Sequence, residues 1–457
     1  MNVLLAGYNI EATRIPHNDD ATPEVLSAAY ARISRSPKRI DQLREEAVRE
    51  VDASRRSNTR IIFGMGHASV AEHAIFNIDI IGISRYLAEF VQKSRLASFT
   101  EKSQRYVKLH GDFVTPHEIL GTPLESSYRT LIDRQNSLYH KLSEAGEKWF
   151  TQQGLDAKAA AERAREDARY VLSLATETQM GMTLNVRSLE RLLRRLGKLH
   201  FHEAIQLRDR IQDLVEGIAP SLVRYTEPDP YDSNRVGVES TEPRLWDDDV
   251  RLLSGTENPD DLVLSMAMAR DTGDNPDTAL HYISQLSLEQ KKAEYDKLFS
   301  GMEGYHPAPE PFEFADFTFA LRMSSCAFAQ FKRHRISSRI RTARHPNLQA
   351  VFPEWFQHVG MMQPIEEMMV TCTNLWNDLR SINPEIADYA LTNAHAVQVA
   401  YRMNLRELYH FARLRCDGHA QWEIRALATR IVEIVKAKAP LSAALMMGKD
   451  EFDDREE

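Results

Sequence analysis

The strongest constraint on this 457-residue chain is that it contains one module twice. VAEHAIFNIDIIGISRYLAEFVQKSRLASF, from Val70, and EPFEFADFTFALRMSSCAFAQFKRHRISSR, from Glu310, follow one plan. Each passes from a Glu-containing turn through an apolar/polar alternation and a helix to a basic cluster and a serine. Glu72 and Glu313 are 241 residues apart, and Arg95 and Arg335 are 240 apart. MTLNVRSLERLLRRLGKLHFHEAIQLRDRI, from Met182, is echoed by YRMNLRELYHFARLRCDGHAQWEIRALATRI, from Tyr401, but Asn185 and Asn404 are only 219 apart. The falling offset predicts that the second copy lost about a turn or two of connecting segment. VLLAG near the start likewise pairs with VRLLSG from Val250. A period this long means two globular domains, not a solenoid.

The expected division is a first domain over 1–227, a linker over 228–249 and a second domain over 250–457. The linker reading rests on PDPYDSNRVGVESTEPRLWDDD, which is rich in Pro, Asp, Ser and Gly and has no periodicity. At 43% hydrophobic and 27% charged the chain has the composition of a globular protein. No run approaches the roughly 18 apolar residues that cross a bilayer, so no membrane partner is expected. The net charge of −9 argues against a nucleic-acid partner but leaves room for local basic patches. Three scattered cysteines do not make a disulfide framework or a zinc knuckle. MNVLLAGYNIE lacks a basic region, so no signal peptide is read and a reducing cytoplasm is expected.

Phe76, Ile78 and Ile80 alternate with Asn77 and Asp79, as do Phe317, Phe319, Leu321 and Met323 with their neighbours, which predicts a strand in each copy. Helices are predicted over 84–94 and 324–334, with the basic clusters at their C-termini, and over 38–56, 125–150, 156–172, 357–379 and 419–437. Leu189, Leu192, Leu193 and Leu196 have helical spacing. The class is α+β and helix-rich.

Between Lys332 and Arg344 six cations fall within thirteen residues, with no acid among them. A solvated face is the ordinary reading of such a run; arginines at a fixed turn also suit phosphate, which they grip in bidentate fashion. In SFTEKSQRYV, Glu101, Ser103 and Arg105 alternate, so an extended segment would turn all three the same way, either as a phosphate pocket or as an exposed edge with a Glu–Arg pair. Asn404 and Arg415 lie about three helical turns apart on one face, and Arg406 and His410 are neighbours at i,i+4. His67 and His73 have no third ligand at a useful spacing, so no metal is expected.

Together these elements resemble the flavin-dependent thymidylate synthase family. GHASVAEH (66–73), SFTEKSQRY (98–106), LNVRSL (184–189), QFKRHRISS (330–338), MNLREL (403–408) and RLRCDGHAQWEIRALA (413–428) are similar to that family's motifs, in order, across both halves. The resemblance implies two tandem copies of the family fold forming an internal pseudo-dimer. Each copy departs from the pattern. The Arg-His-Arg of the first has become Lys93-Ser94-Arg95, and the arginine near the uracil ring has become Leu196. In the second the Glu-x-Ser-x-Arg tail has become Arg341-Thr342-Ala343-Arg344-His345, and an upstream phosphate-binding arginine has become Asp388.

The family shares each site between subunits of a homotetramer, so the resemblance implies one composite pocket per chain and a stripped reciprocal one. It assigns the nucleotide to Gln330, Arg333, Glu101, Ser103, Arg105, Arg169 and Arg415. It assigns the flavin to Arg333, His334, Arg335, Glu101, Asn404, Arg406, His410, His67 and Ser69. Arg415 is the expected catalytic residue, stabilising the anion that develops on the pyrimidine. FAD is the implied cofactor, with dUMP, methylenetetrahydrofolate (the folate donor) and NADPH as substrates, and two chains are expected to pair as a homodimer. None of Cys326, Cys372 and Cys416 sits in a setting that activates a thiolate, which favours this family over the thiolate-dependent thymidylate synthase. His410, where the family usually has Asn, together with Arg341 and Arg344, leaves open another pyrimidine (UMP methylation or hydroxymethylation). A degenerate binding paralogue is the third reading. Losses concentrated in one pocket favour an enzyme.

Overall fold

The computed structural model describes residues 1–12, 22–105, 107, 109–233 and 248–454. The first copy runs β1 (Asn2–Tyr8), α1 (Glu24–Ile33), α2 (Ile40–Arg49), α3 (Val51–Asn58), β2 (Ile75–Ser84), α4 (Arg85–Val91), β3 (Ala97–Glu101), α5 (Pro123–Gln152), α6 (Ala157–Ala168), β4 (Glu177–Asn185), α7 (Val186–Leu196) and α8 (His202–Glu216). The second runs β5 (Val250–Gly255), α9 (Pro259–Thr272), α10 (Pro276–Gln285), α11 (Leu288–Leu298), β6 (Asp316–Ser324), α12 (Ser325–Phe331), β7 (Ser337–Arg341), α13 (Trp355–His358), α14 (Met362–Ile382), β8 (Ala396–Asn404), α15 (Leu405–Arg415), α16 (Trp422–Lys438) and α17 (Lys449–Asp453).

Each copy builds a four-stranded antiparallel sheet with the same order, β1-β2-β4-β3 and β5-β6-β8-β7. The expected alternation is what buries the central strands. Phe76, Ile78 and Ile80, and Phe317, Phe319 and Leu321, are fully buried. Each such side chain contributes roughly 1.5–3 kcal/mol of burial. Leu189, Leu192, Leu193 and Leu196 close over the first sheet from α7, all fully buried.

The repeat extends to single hydrogen bonds. Ser84 and Ser324 cap α4 and α12 through Oγ, and each donates both its backbone N–H and its hydroxyl to a buried carboxylate, Glu203 and Glu423 respectively. Asn185 and Asn404 cap α7 and α15. Glu72 pairs with Arg187 and Glu313 with Arg406, both at 2.5 Å.

The changing offset has local causes. β2 carries a bulge between Ile81 and Ile83, with Gly82 at φ +74°, and β6 pairs with β8 without one. That extra residue takes 241 to 240. The later loss is larger than a turn or two. The connection from β7 to β8 is 21 residues shorter than that from β3 to β4, and α14 stands where α5 and α6 do in the first copy.

The chain divides into two compact units, Met1–Ser240 with Pro353–Thr392, and Thr241–Phe352 with Asn393–Glu457. Unit 1 therefore takes in a stretch of the second repeat. Within it the Trp355 indole donates to Asp167 (2.9 Å), Gln135 donates to the Ala390 carbonyl (3.2 Å), Ser173 donates to the Tyr389 carbonyl (2.8 Å), and the Tyr389 hydroxyl donates to Glu203. In the expected linker, 234–247 lies outside the described residues. No helix among the described residues is long and apolar enough to cross a membrane.

Candidate functional site

In unit 2 the chemistry gathers after α12. The Ser324–Glu423 bonds tie the start of α12 to the start of α16, where Gln421 accepts from the backbone N–H groups of Glu423 and Ile424. Gln330, on the last turn of α12, is 5% exposed, and neither of its amide atoms has a hydrogen-bond partner among the described residues. A buried amide left so costs about 1–3 kcal/mol, a cost a ligand can relieve. The following turn is braced from within: the Ser337 hydroxyl donates to the His334 carbonyl and Arg339 to the Lys332 carbonyl, while the Tyr401 hydroxyl lies 3.0 and 3.1 Å from the Phe331 and His334 carbonyls. Arg333 and Arg335 are exposed on it, and His334 is buried.

His334 meets α15. Its Nε2 accepts from Arg415 Nε at 3.1 Å, and its Nδ1 lies 3.4 Å from Glu407 Oε1, long for a hydrogen bond. Burial chiefly holds the imidazole pKa below its ordinary value; Glu407 opposes this and Arg415 adds to it. The ring is therefore neutral at neutral pH, with its proton on Nδ1. Beside it opens a cavity of about 490 Å³ lined by Asn404, Arg406, Glu407, His410, Tyr305 and Ile336 among others. Arg406 is also engaged with Glu313 and the Ala308 carbonyl, and Asn404 caps α15, so both are partly structural.

The cationic run divides between surface and interior. Arg344 is 2% exposed and donates to Ser325 Oγ at 2.9 Å, so it and Arg339 are internal braces.

In unit 1 the strand stops at Glu101, so the expected alternation fails there: Ser103 and Arg105 occupy a turn in which Ser103 Oγ accepts from Arg105 N–H (3.1 Å). The Glu101 carboxylate accepts from Arg85, Gln92 (2.8 Å) and Thr178 (3.0 Å). The turn nonetheless brings Arg105 and Arg169 to one anion. Arg105 Nε lies 2.5 Å and Arg169 Nη2 3.9 Å from Glu166 Oε1, with Arg163 3.7 Å from its other oxygen. Next to it Asp167 is buried, and desolvation raises its carboxyl to about 6 despite Arg163 and the Trp355 indole. His67 and Ser69 are exposed on a separate stretch, His67 Nε2 lying 3.4 Å from Arg35. His73 packs edge-on against Tyr30. Among the described residues there is no cluster of three metal-ligating side chains.

Burial pushes the Cys372 and Cys416 thiols up to about 12, and Cys326 is buried, so no described thiol is set up as a thiolate. Sequence reasoning missed Glu407 and Glu166. Glu407 was visible in MNLREL as an acid three residues after a helix-capping Asn, where the first copy has Ser188.

Two α+β repeats, one holding an arginine-bound anion position and the other a guanidinium–imidazole pair beside a cavity, define a tandem ligand-binding protein. The family described as thymidylate synthase complementing protein matches residues 17–221 and again 251–441, and the chain belongs to that family. A flavin-dependent thymidylate synthase of Clostridium tetani is 29% identical over 215 residues, 46% of this chain and 85% of that protein. The UPF0159 protein Ta1429 of Thermoplasma acidophilum is 22% identical over 449 residues, 86% of this chain and 88% of that protein, so it is similar along both repeats. A solved UMP/dUMP methylase from Streptomyces cacaoi, bound with 5-Br dUMP, is 18% identical with a TM-score of 0.36, covering 43% of this chain and 92% of that one.

Proposed function

We propose that this protein is a flavin-dependent thymidylate synthase, methylating dUMP at C5 with methylenetetrahydrofolate as the carbon donor. The observation that carries the reading is Arg415, held by a neutral His334 in unit 2, in a family member without an activated thiol. A guanidinium fixed before the reaction stabilises negative charge developing over N3 and O4 of the pyrimidine and makes C5 the nucleophile. By comparison with a lost oxyanion donor, such a cation is worth about 3–4 kcal/mol.

The residues fit a flavin dinucleotide. The unsatisfied Gln330 amide, the exposed Arg333 and Arg335, and the donors Asn404, Arg406 and His410 suit an anionic, hydrogen-bonding ligand. Arg333, Arg335, Asn404 and His410 would hold FAD, with His67 and Ser69 supplied from a second chain of a homodimer. FAD held there would supply the reducing equivalents, with NADPH as the proposed reductant. Arg105 and Arg169, with Ser103 beside them, would exchange the Glu166 carboxylate for the nucleotide phosphate, and the Gln330 amide of unit 2 is a further substrate-binding group in this reading. Glu101 supports the turn through Arg85, Gln92 and Thr178.

Purified protein should be yellow and should release tritium from [5-³H]dUMP only with NADPH and methylenetetrahydrofolate together. Release from labelled UMP but not dUMP would move the substrate to the ribonucleotide. Absence of release from both, with flavin bound, would defeat the enzymatic reading.

A further inference from the structure

We propose that Glu407 is a positioning residue for the methylation reaction, acting through His334 to present Arg415. The inference rests on the functional reading above, and on a chain of three side chains that lies wholly in unit 2.

Arg415 Nε can donate to His334 Nε2 only if that nitrogen keeps its lone pair. The imidazole must therefore carry its proton on Nδ1, which among the described residues has no closed hydrogen bond and faces Glu407 Oε1 at 3.4 Å. The other tautomer would set an N–H against a guanidinium N–H and leave Nδ1 as a second acceptor beside a carboxylate. Glu407 thus selects the form of His334 that holds Arg415. The imidazole is shut off from solvent at 1% exposure, and the carboxylate, at 10%, reaches only the cavity beside it.

An acid in the first turn of a helix ordinarily serves the helix dipole. Here Asn404 already caps α15 by accepting from the Glu407 N–H (2.8 Å), and the Glu407 carboxylate turns toward His334. The first copy supplies an internal control. The positions of His334, Glu407 and Arg415 are taken there by Ser94, Ser188 and Leu196. Ser94 Oγ accepts from Arg195, Ser188 Oγ donates to the Leu96 carbonyl, and Leu196 is fully buried. Where the arginine is absent, both groups that set its geometry are absent too, although the flanking Asn and Ser caps remain. The three behave as a unit.

The groups that face His334 are Glu407, Arg415 and His410 from α15, with the Phe411 ring edge-on at 4.9 Å. From β8 the Tyr401 hydroxyl lies near its carbonyl, and Arg333 and Arg335 flank it in sequence. A second proton on His334 removes the acceptor for Arg415, so activity falls on the acid side. Of these groups Glu407 alone favours that proton electrostatically; Arg415 and His410 oppose it.

The test uses Glu407→Ala and Glu407→Gln in the full chain, with two readouts. In the tritium-release assay at pH 8, Glu407→Ala should lose about a hundredfold in kcat with the KM for dUMP changed less than about threefold, as expected for a misplaced catalytic group. Glu407→Gln, whose amide oxygen can face Nδ1 where the carboxylate did, should recover most of that loss. It should also move the acid limb of the pH–rate profile to lower pH, because the negative charge that favours protonated His334 is gone. Independently of turnover, ¹⁵N spectra of [¹⁵N]His-labelled protein, with the His334 signal assigned through His334→Gln, should show Nδ1–H in the wild type and Glu407→Gln, and Nε2–H in Glu407→Ala. An unchanged tautomer in Glu407→Ala, or an unmoved acid limb in Glu407→Gln, would overturn the proposal. A wild type with no methylase activity would remove the functional reading alone, since the spectra still judge whether Glu407 sets His334. If Glu407→Ala does not fold, the Glu407→Gln limb and the wild-type tautomer decide.

Discussion

Arg415 and Leu196 hold equivalent positions in the two repeats, and their surroundings predict opposite outcomes on substitution. Arg415 is half-buried and donates to His334, whereas Leu196 is fully enclosed in the core of the first copy. Arg415→Ala should lower kcat by at least about a hundredfold in the tritium-release assay while thermal stability stays near wild type. The matching change in the first copy has to respect packing, because Leu→Ala in a core costs about 2–5 kcal/mol. Leu196→Met, which keeps the volume, should leave turnover within about twofold; equal losses at the two positions would refute the unequal division between copies. Asp167 makes a pH-dependent case. Its carboxyl is raised from an ordinary 3.8 to about 6, mainly by burial, so the native state holds the proton more tightly than the unfolded chain. The sign follows: this contribution to stability is complete below about pH 4 and is lost as pH rises through 6, about 3 kcal/mol in all. Asp167→Asn keeps an acceptor for the Trp355 indole without the charge. By urea denaturation it should gain on the wild type at pH 8 and lose that advantage at pH 4.5; a gap independent of pH would refute the assignment.

At the scale of elements, the seat of Trp355 tests whether α13 and α14 belong to unit 1. Gly146 lies inside α5, about two turns from its end, where Gly→Ala ordinarily gains about 1 kcal/mol. A Cβ there would stand 2.6 Å from the Trp355 ring and 2.9 Å from Ala164 Cβ. Gly146→Ala should therefore lower the thermal midpoint, with a cost of roughly 1–3 kcal/mol from overpacking; a raised midpoint would mean that Trp355 does not pack on α5. The elements also show what the residues alone disclosed. The alternation of Phe76, Ile78 and Ile80 and the leucine spacing of α7 state their burial directly, because period sets which face is covered. The helices α9–α11 were not anticipated: α11 has one fully buried residue, Tyr295, and its apolar positions draw no continuous stripe. Ser103 and Arg105 were read as extended because alternation cannot show where a strand stops. The place of Arg344 is not legible in the run of six cations, because a sequence does not tell a buried guanidinium with a hydroxyl partner from a solvated one.

For the molecule as a whole, the repeats predict binding stoichiometry. Two intact copies would bind two nucleotides per chain, yet in the proposed reading each keeps only part of the binding set. The first retains Arg105 and Arg169 around an anion position, but has a buried Leu196 where Arg415 stands in the second. The second retains Arg415 and the unsatisfied Gln330, but has Asp388 in place of Arg169 and Phe90 answers Gln330 in the first. Asp388 accepts from the Trp376 indole at 3.2 Å, so its carboxylate is an acceptor in the fold and does not swing aside without cost. Exchanging a guanidinium for a carboxylate about 4 Å from a phosphate turns several kcal/mol of attraction into repulsion, even at an effective dielectric constant of about 20. At about 1.4 kcal/mol per tenfold in affinity, that would weaken a second site by orders of magnitude. Equilibrium dialysis with labelled dUMP, in the flavin-loaded protein, should saturate at one nucleotide per chain. Arg105→Ala, in the first repeat, should weaken that binding by about tenfold or more, and Arg415→Ala, in the second, should mainly slow turnover. Saturation at two per chain, or a second population untouched by Arg105→Ala, would mean that the copies work separately.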